Sequence, residues 1–270
     1  MNVVRIDSVA DEALVPYARL TERQLQSRLH PEEGLFICES LKVIRVALEA
    51  GMQPVSFLCE EKHLECVNAL MSDCLSDVPV YTAPREVLKG LTGYELSRGV
   101  LCAMQRPKLP SVDELFSLLT SDFSLSRVAV LDGVVNSENT GAIFRAAAAL
   151  GIDAVLLTRT CCDPLNRRAC RVSMGTVFQL PWTFIDNYNQ LSDNGFTTVA
   201  LALTDRSVPI GDASLKGIDR MAIILGTEGD GLSDDVLSRC DHVARIPMHR
   251  GVDSLNVAAA AAVAFYEFCR

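Results

Sequence analysis

The stretch "VAVLDGVVNSENTGAIFRAAAALGIDAVLLT", Val128 to Thr158, carries the pattern from which the fold of the C-terminal half follows. "VAVLDGV" and "AVLLT" are short, near-continuous apolar runs, and "NSENTGAIFRAAAALG" between them has the period of a helix. Further apolar runs follow in "TVALAL", "MAIILG" and "HVARIPM", with helical segments between most of them. Apolar strands alternating with helices predict a parallel sheet covered on both faces, an α/β domain. Ligands of such sheets bind beyond the carboxyl ends of the strands. The polar stretches "DGVVNSENTG", "GTEGDGLS" and "PMHRGVDSLN" each follow a strand, as that rule requires.

The first hundred residues mix helix and short strand. "PYARLTERQLQSRL" reads as one amphipathic helix, "GLFICES" as a strand, and "LKVIRVALEAG" as a helix closed by Gly51. "PVSFLCE", "PVYTA" and "GVLCAMQ" read as strands, with helices in "HLECVNALMSD" and "REVLKGLTG". Two prolines in "QRPKLPSVDEL" break both kinds of element, which puts a domain boundary near Arg106 to Ser111. No repeat stands out.

The chain has 270 residues, 49% of them hydrophobic and 22% charged, the balance of a globular protein with one large domain or two ordinary ones. No apolar run is long enough to span a bilayer, and the acidic "MNVVRIDSVADEALV" is unlike a targeting peptide. Ten cysteines without paired Cys-x-x-Cys units predict reduced, buried thiols in a cytoplasm, and no metal site. A net charge of −9 argues against general nucleic-acid binding. Charge acts locally, however: "RTCCDPLNRRACR" holds Arg159, Arg167, Arg168 and Arg171 against Asp163 alone. That cluster is either a patch facing an anion or a solvated loop.

Three loops carry candidate chemistry. In "LGTEGDGLSDDVL", Gly226, Gly229 and Gly231 permit close approach of a ligand to the backbone, or simply form a tight turn before a helix capped by Ser233. The loop lacks the Gly-Lys-Ser/Thr of a P-loop and the spacing of a dinucleotide fingerprint. Asp230, Asp234 and Asp235 would repel a phosphate, so a neutral or cationic nucleoside-type ligand fits better. In "IPMHRGVDSLNVAAAAAVAFYEF", Ser254 and Asn256 stand where a helix cap belongs, ahead of a helix of small residues. In the opening stretch Asn139 is the predicted cap. Arg145 shares a helical face with Gly141, Ala148 and Ala149, and either snorkels over the helix surface or projects into a site.

Taken together and in this order, "NSENTGAIFRAAAALG", "LGTEGDGLS" and "IPMHRGVDSLNVAAAAAV" resemble the three motifs of the SpoU (TrmH-like) family of RNA ribose methyltransferases in the SPOUT superfamily. "DPLNRRACRVSMGTVFQLP" resembles the family's Arg-x-Ser-Met-Gly segment. The resemblance runs from about Ser126 to the C-terminus, and "LHPEEGLFICESLKVIRVALEAG" resembles the small substrate-binding domain attached to many members. Ser137 stands where proline is frequent, Thr227 where asparagine is, and Ser40 where glycine is usual.

The resemblance implies an RNA-binding α/β, ribosomal-protein-like domain over 1–107, a linker and connecting helix over 108–125, and a knotted methyltransferase domain over 126–270. It implies S-adenosylmethionine as cofactor, held by Gly226, Ile246 and Leu255 with Thr204, Gly229 and Met248 nearby, and a homodimer that completes the site. Asn139, Arg145, Glu228, Ser254 and Asn256 match the family's catalytic and binding polar set. Arg159, Arg167, Arg168, Arg171 and Ser173 are the candidate contacts to RNA. The reaction implied is methyl transfer to a ribose 2′-hydroxyl, with ribosomal RNA favoured over tRNA because the smallest tRNA-modifying members lack the N-terminal domain. A guanidinium is normally protonated and has no acceptor, so Arg145 reads more comfortably as a phosphate or alkoxide stabiliser than as a general base. The competing readings are a non-catalytic RNA-binding member of the fold and a Rossmann-type oxidoreductase. "LDGVVNSENTG" lacks the glycine fingerprint of the latter.

Overall fold

The computed structural model describes residues 2–8, 10–18, 20–27, 30, 33–71, 78–119, 126–227 and 229–270, less 93–98. The chain divides into two compact units, Met1–Lys108 with Leu165–Phe178, and Leu109–Pro164 with Gln179–Arg270.

The first unit contains β1 (Asn2–Arg5), α1 (Val15–Ala18), α2 (Glu22–Leu25), β2 (Leu35–Glu39), α3 (Leu41–Glu49), β3 (Pro54–Cys59), α4 (Leu64–Met71), β4 (Pro79–Thr82), α5 (Arg85–Thr92) and β5 (Val100–Gln105). Its sheet has the order β1-β4-β3-β5-β2, with β5 antiparallel to both neighbours and the other pairs parallel. The described residues within 16–29 do not form the single helix expected of that stretch. Thr21 is extended and makes a capping box with Gln24, so a new helix starts there and α1 ends before it. Gly51 closes α3 as expected, with φ +81° and its N–H donating to the Leu48 carbonyl.

The second unit contains α6 (Val112–Leu119), β6 (Ser126–Leu131), α7 (Ser137–Leu150) and β7 (Ala154–Leu157). The chain then passes into the first unit for α8 (Arg167–Val172). It returns for β8 (Trp182–Phe184), α9 (Asn189–Asp193), β9 (Thr197–Leu201), β10 (Val208–Pro209), β11 (Arg220–Leu225), α10 (Asp234–Arg239), β12 (His242–Arg245) and α11 (Val257–Phe268). The seven strands are all parallel, in the order β10-β12-β9-β11-β6-β7-β8. Val128, Val130, Ala154, Leu156, Ala222 and Ile224 face a core built with α6, α9 and α10. Their alternates Ala129, Leu131, Val155, Leu157, Ile223 and Leu225 are equally buried and point to the opposite face. There α11 packs against α7 and β11, and Phe144 of α7 meets the edge of Trp182. Burial on both faces explains why these strands read as unbroken apolar runs. The two strands without such a run, β8 and β10, are three and two residues long and lie at the sheet edges, where Pro209 costs no ladder bond.

No disulfide forms among the described residues. Burial raises the thiol of Cys59 to about 12 and those of Cys240 and Cys269 to about 11, the inert behaviour of small buried hydrophobes. No helix of the described residues is long and apolar enough to cross a membrane. No group of three or more His, Cys, Asp or Glu among them is arranged to hold a metal.

Candidate active site

At the carboxyl ends of β9, β11 and β12 the second unit holds a cavity of about 660 Å³. Gly226, Ile246, Leu255, Thr204, Gly229 and Met248 all line it, as do Ser254 and Asn256. A sheet with its helices on the faces leaves free backbone polar groups and loop space only at the strand ends, so the cavity belongs there.

Each loop has a local reason for its course. Gly226 leaves β11 so close to the returning chain that a Cβ on it would lie 2.6 Å from the Gly231 carbonyl carbon. Gly229 and Gly231 take positive φ, and the loop closes on itself through the Thr227 N–H and hydroxyl, both directed at the Gly231 carbonyl. Ser233 then caps α10 by accepting from the Val236 N–H. Glu228 lies outside the described residues.

Asn256, not Ser254, caps α11: its Oδ1 accepts from the Ala258 N–H at 2.9 Å. Its Nδ2 donates to Oδ1 of Asn139 at 3.1 Å, joining two segments 117 residues apart. Asn139 is not the cap of α7 that was expected. Asn136 holds that place, accepting from the N–H groups of Glu138 and Asn139, while Asn139 sits inside the first turn, buried against α11. Ser137 then falls at the first helical position, where proline's fixed φ suits a helix start.

Arg145 is exposed on α7 and does not line the cavity. It stands six residues after Asn139, about 9 Å further along the helix axis. Gly141, placed with it on an open face by the helical period, is buried instead. The same helix, α7, packs against α11, whose sequence is rich in alanine.

The cavity wall also carries Asp230, Asp234 and Asp253 against Arg245. An excess of acid suits a ligand with positive charge and disfavours one with several phosphates. Within the same wall, the Thr204 hydroxyl is buried and has no hydrogen-bond partner. A buried hydroxyl without a partner is rare and points to a ligand group that would satisfy it. Volume, charge and this hydroxyl all fit a cationic nucleoside cofactor of the size of S-adenosylmethionine. Asp253, Arg245 and Leu203 were not singled out from the sequence. They are strand-end and turn residues with no distinctive spacing.

The arginines of the cluster fall in both units and take different partners. Arg159 makes a two-bond ion pair with Asp186, at 2.9 and 3.1 Å, and lies 4.9 Å over the Phe184 ring. That pair holds the Asp186 carboxyl below the usual carboxylate range. In the first unit, Arg167 and Arg171 both reach Glu39, at 3.1 and 3.4 Å, while Arg168 is exposed. Ser173 is fully buried. Its hydroxyl donates to the Cys170 carbonyl and accepts from the Gly175 N–H, so it fastens the turn after α8 and offers no surface to RNA.

A family model, that of the SpoU rRNA methylase family, matches residues 126–266. An uncharacterised tRNA/rRNA methyltransferase of Mycobacterium bovis is 37% identical over 245 residues, covering 88% of this chain and 82% of that protein. A 23S rRNA (guanosine-2′-O-)-methyltransferase of Acinetobacter baylyi is 31% identical over 72% of this chain and 79% of its own length. Among solved structures, an RNA 2′-O ribose methyltransferase superposes with a TM-score of 0.73 at 25% identity, covering 98% of this chain and 97% of that one. An rRNA methyltransferase from Sinorhizobium meliloti, solved with AdoMet bound, shares the fold with a TM-score of 0.79 at 24% identity, over 98% of this chain and 97% of its own. With strand ends, glycine loop and Asn-capped helix arranged as described, and with relatives matching most of its length, this chain belongs to the SpoU (TrmH-like) family of RNA methyltransferases.

Proposed function

We propose that this protein transfers a methyl group from S-adenosylmethionine to a ribose 2′-hydroxyl of RNA, with ribosomal RNA as the substrate class. The observation that carries the reading is the convergence of Gly226, Ile246, Leu255, Thr204, Gly229 and Met248 on one acidic cavity, with Asn256 joining its rim to Asn139. The 2′-O position is supported by the activities of the Acinetobacter relative and of the 25%-identical RNA 2′-O ribose methyltransferase.

In this reading the backbone of Gly226, Ile246 and Leu255 holds the adenosine end of the cofactor and Thr204 supplies a hydrogen bond to it. When bound, the sulfonium supplies an electrophilic methyl. The protein's own work is alignment and charge. The Asn139–Asn256 pair fixes the first turn of α7 against the cap of α11, so the ribose meets a rigid polar edge. Ser254 and Glu228 complete the junction of cofactor and substrate. Arg145 binds the phosphate beside the ribose and stabilises the developing alkoxide. Its exposure away from the cavity supports a homodimer in which a second copy completes the site. The trefoil knot implied by the family resemblance belongs to the same reading.

Tritium-labelled methyl transfer to separated rRNA and tRNA, followed by alkaline hydrolysis, tests this. Label is expected in alkali-resistant dinucleotides from rRNA, because a 2′-O-methyl blocks cleavage of the next bond. Label on a base would overturn the 2′-O assignment, and label confined to tRNA would overturn the substrate class.

A further inference from the structure

Within the first unit lies a second cleft, of about 460 Å³, lined by the polar and charged residues Glu22, Glu39, Asn166, Arg167, Arg168 and Arg171. Its floor is unusual. Glu39 ends β2 with only 1% of its side chain exposed, and both carboxylate oxygens meet arginines: Oε2 with Arg167 Nε and Oε1 with Arg171 Nη1. A carboxylate this deep needs such partners, since an unpaired buried charge is strongly unfavourable. The arginines are not buried to match; 21% of the Arg167 side chain and 34% of that of Arg171 stay open.

The backbone around Glu39 is held on every side. The Ser40 N–H donates to the Val100 carbonyl, and the Ser40 hydroxyl caps α3 at Val43. Ser40 itself has φ +88°, a conformation that favours glycine and that a serine keeps only when its surroundings impose it. Opposite it, α8 is fixed by the Asn166 cap, by the Glu22 carboxylate accepting from the Arg167 N–H, and by Gly175 (φ +90°), where a Cβ would press on Val46. Among the described residues that line the cleft, three arginines stand against two carboxylates, a positive balance that suits a single phosphodiester.

We propose that this cleft seats one phosphodiester of the RNA backbone, and that Glu39 is its positioning residue. Glu39 orients the guanidinium forks of Arg167 and Arg171 so that their outward edges, with Arg168, face the phosphate. The arrangement follows the general logic by which a buried carboxylate orients a binding group that does the contacting. The inference rests on the RNA-directed function proposed above and adds to it the subsite and the residue that builds it.

The test uses the full-length protein and a fluorescein-labelled single-stranded RNA dodecamer of mixed sequence, with anisotropy read across a KCl series. Arg168→Ala and Arg171→Ala are each expected to weaken binding several-fold and to lower the slope of log K against log salt by about 0.7, one phosphate contact on a single strand. Glu39→Gln gives the sharper outcome. It raises the cleft's charge by one, so simple electrostatics demands tighter binding, whereas loss of positioning predicts several-fold weaker binding. Tighter or unchanged binding overturns the proposal. Arg171→Lys keeps the charge and removes the fork; it is expected to bind as weakly as Arg171→Ala, and full rescue overturns the proposal even if Glu39→Gln fails to fold. S-adenosylmethionine binding, measured by calorimetry, should be unchanged in all variants. A wild type that binds the dodecamer in this way but transfers no methyl group sinks the proposed reaction and leaves the subsite standing. A wild type that methylates RNA while these variants bind it normally does the reverse.

Discussion

The 660 Å³ cavity and the Glu39 cleft both lie at strand ends, but different forces build them. The cavity is largely a backbone object: glycines that let chains approach, an asparagine cap, and strand ends that leave room for a ligand. The cleft is a charge object, in which two arginines of one short stretch take their geometry from a glutamate more than 120 residues away. A site made by the backbone keeps its shape when a side chain is trimmed, and fails when a chain path is blocked. A site made by paired charges fails when either partner is lost.

The largest effect expected concerns a residue outside both. Arg145→Ala should lower single-turnover methyl transfer on the order of a thousandfold while cofactor affinity changes less than about threefold. An equal loss of affinity would return Arg145 to the cavity and blur the contrast. Next, Gly226→Ala should reduce cofactor affinity by roughly a hundredfold, about 2.7 kcal/mol. Its Cβ would collide with backbone at Gly231 and Leu232, not with a side chain that can turn aside. Near-normal affinity by titration calorimetry would show that the loop has freedom it is denied here.

For the cleft, Arg167→Ala with Arg171→Ala strips both guanidinium partners from a buried carboxylate. A loss of about 2–3 kcal/mol is expected in denaturant unfolding, below the 3–5 of a fully buried pair because the arginine heads are partly solvated. An unchanged midpoint would mean Glu39 has other support. Ser40→Gly should act in the opposite direction, raising stability by about 0.5–1 kcal/mol. Relief of the positive φ outweighs a slightly weaker cap and the entropy of glycine. The smallest effect is on pH. Burial of Asp241 opposes its charge, but hydrogen bonds from the Thr198 N–H and hydroxyl prevail and hold its carboxyl below the ordinary value. A group with a depressed folded-state value contributes stability above its unfolded value and loses it as pH falls through the folded one. Asp241→Asn should therefore flatten the acid side of the stability curve below about pH 4.

What could be read without coordinates differs between the regions in the same way. All six residues that the family resemblance placed at the cofactor end line one cavity, and the glycine loop and strand ends around them act through local backbone geometry that a linear string displays. Both asparagines also meet, although the helix cap was one turn earlier than the pattern suggested, since Asn136 and Asn139 are equally good caps by type. The arginine-rich stretch read as one surface. It separates into an exposed pair with Asp186, a clamp on Glu39 and a buried Ser173; the two carboxylates are remote in the chain, and Ser173 is taken up by the turn after α8. The same remoteness puts Leu165–Phe178 in the first unit, although its motif had placed it within 126–270.

The sequence by itself determined the parallel α/β sheet, the strand ends that carry the ligand loops, and the family to which they belong. Hydrophobic period, glycine and capping signals are local, and the inner strands, buried on both faces, have few other ways to pair. Only the tertiary structure decided which charges are available. A guanidinium's role depends on the carboxylate it meets and on how much water remains around both, and neither is encoded within reach of the arginine itself.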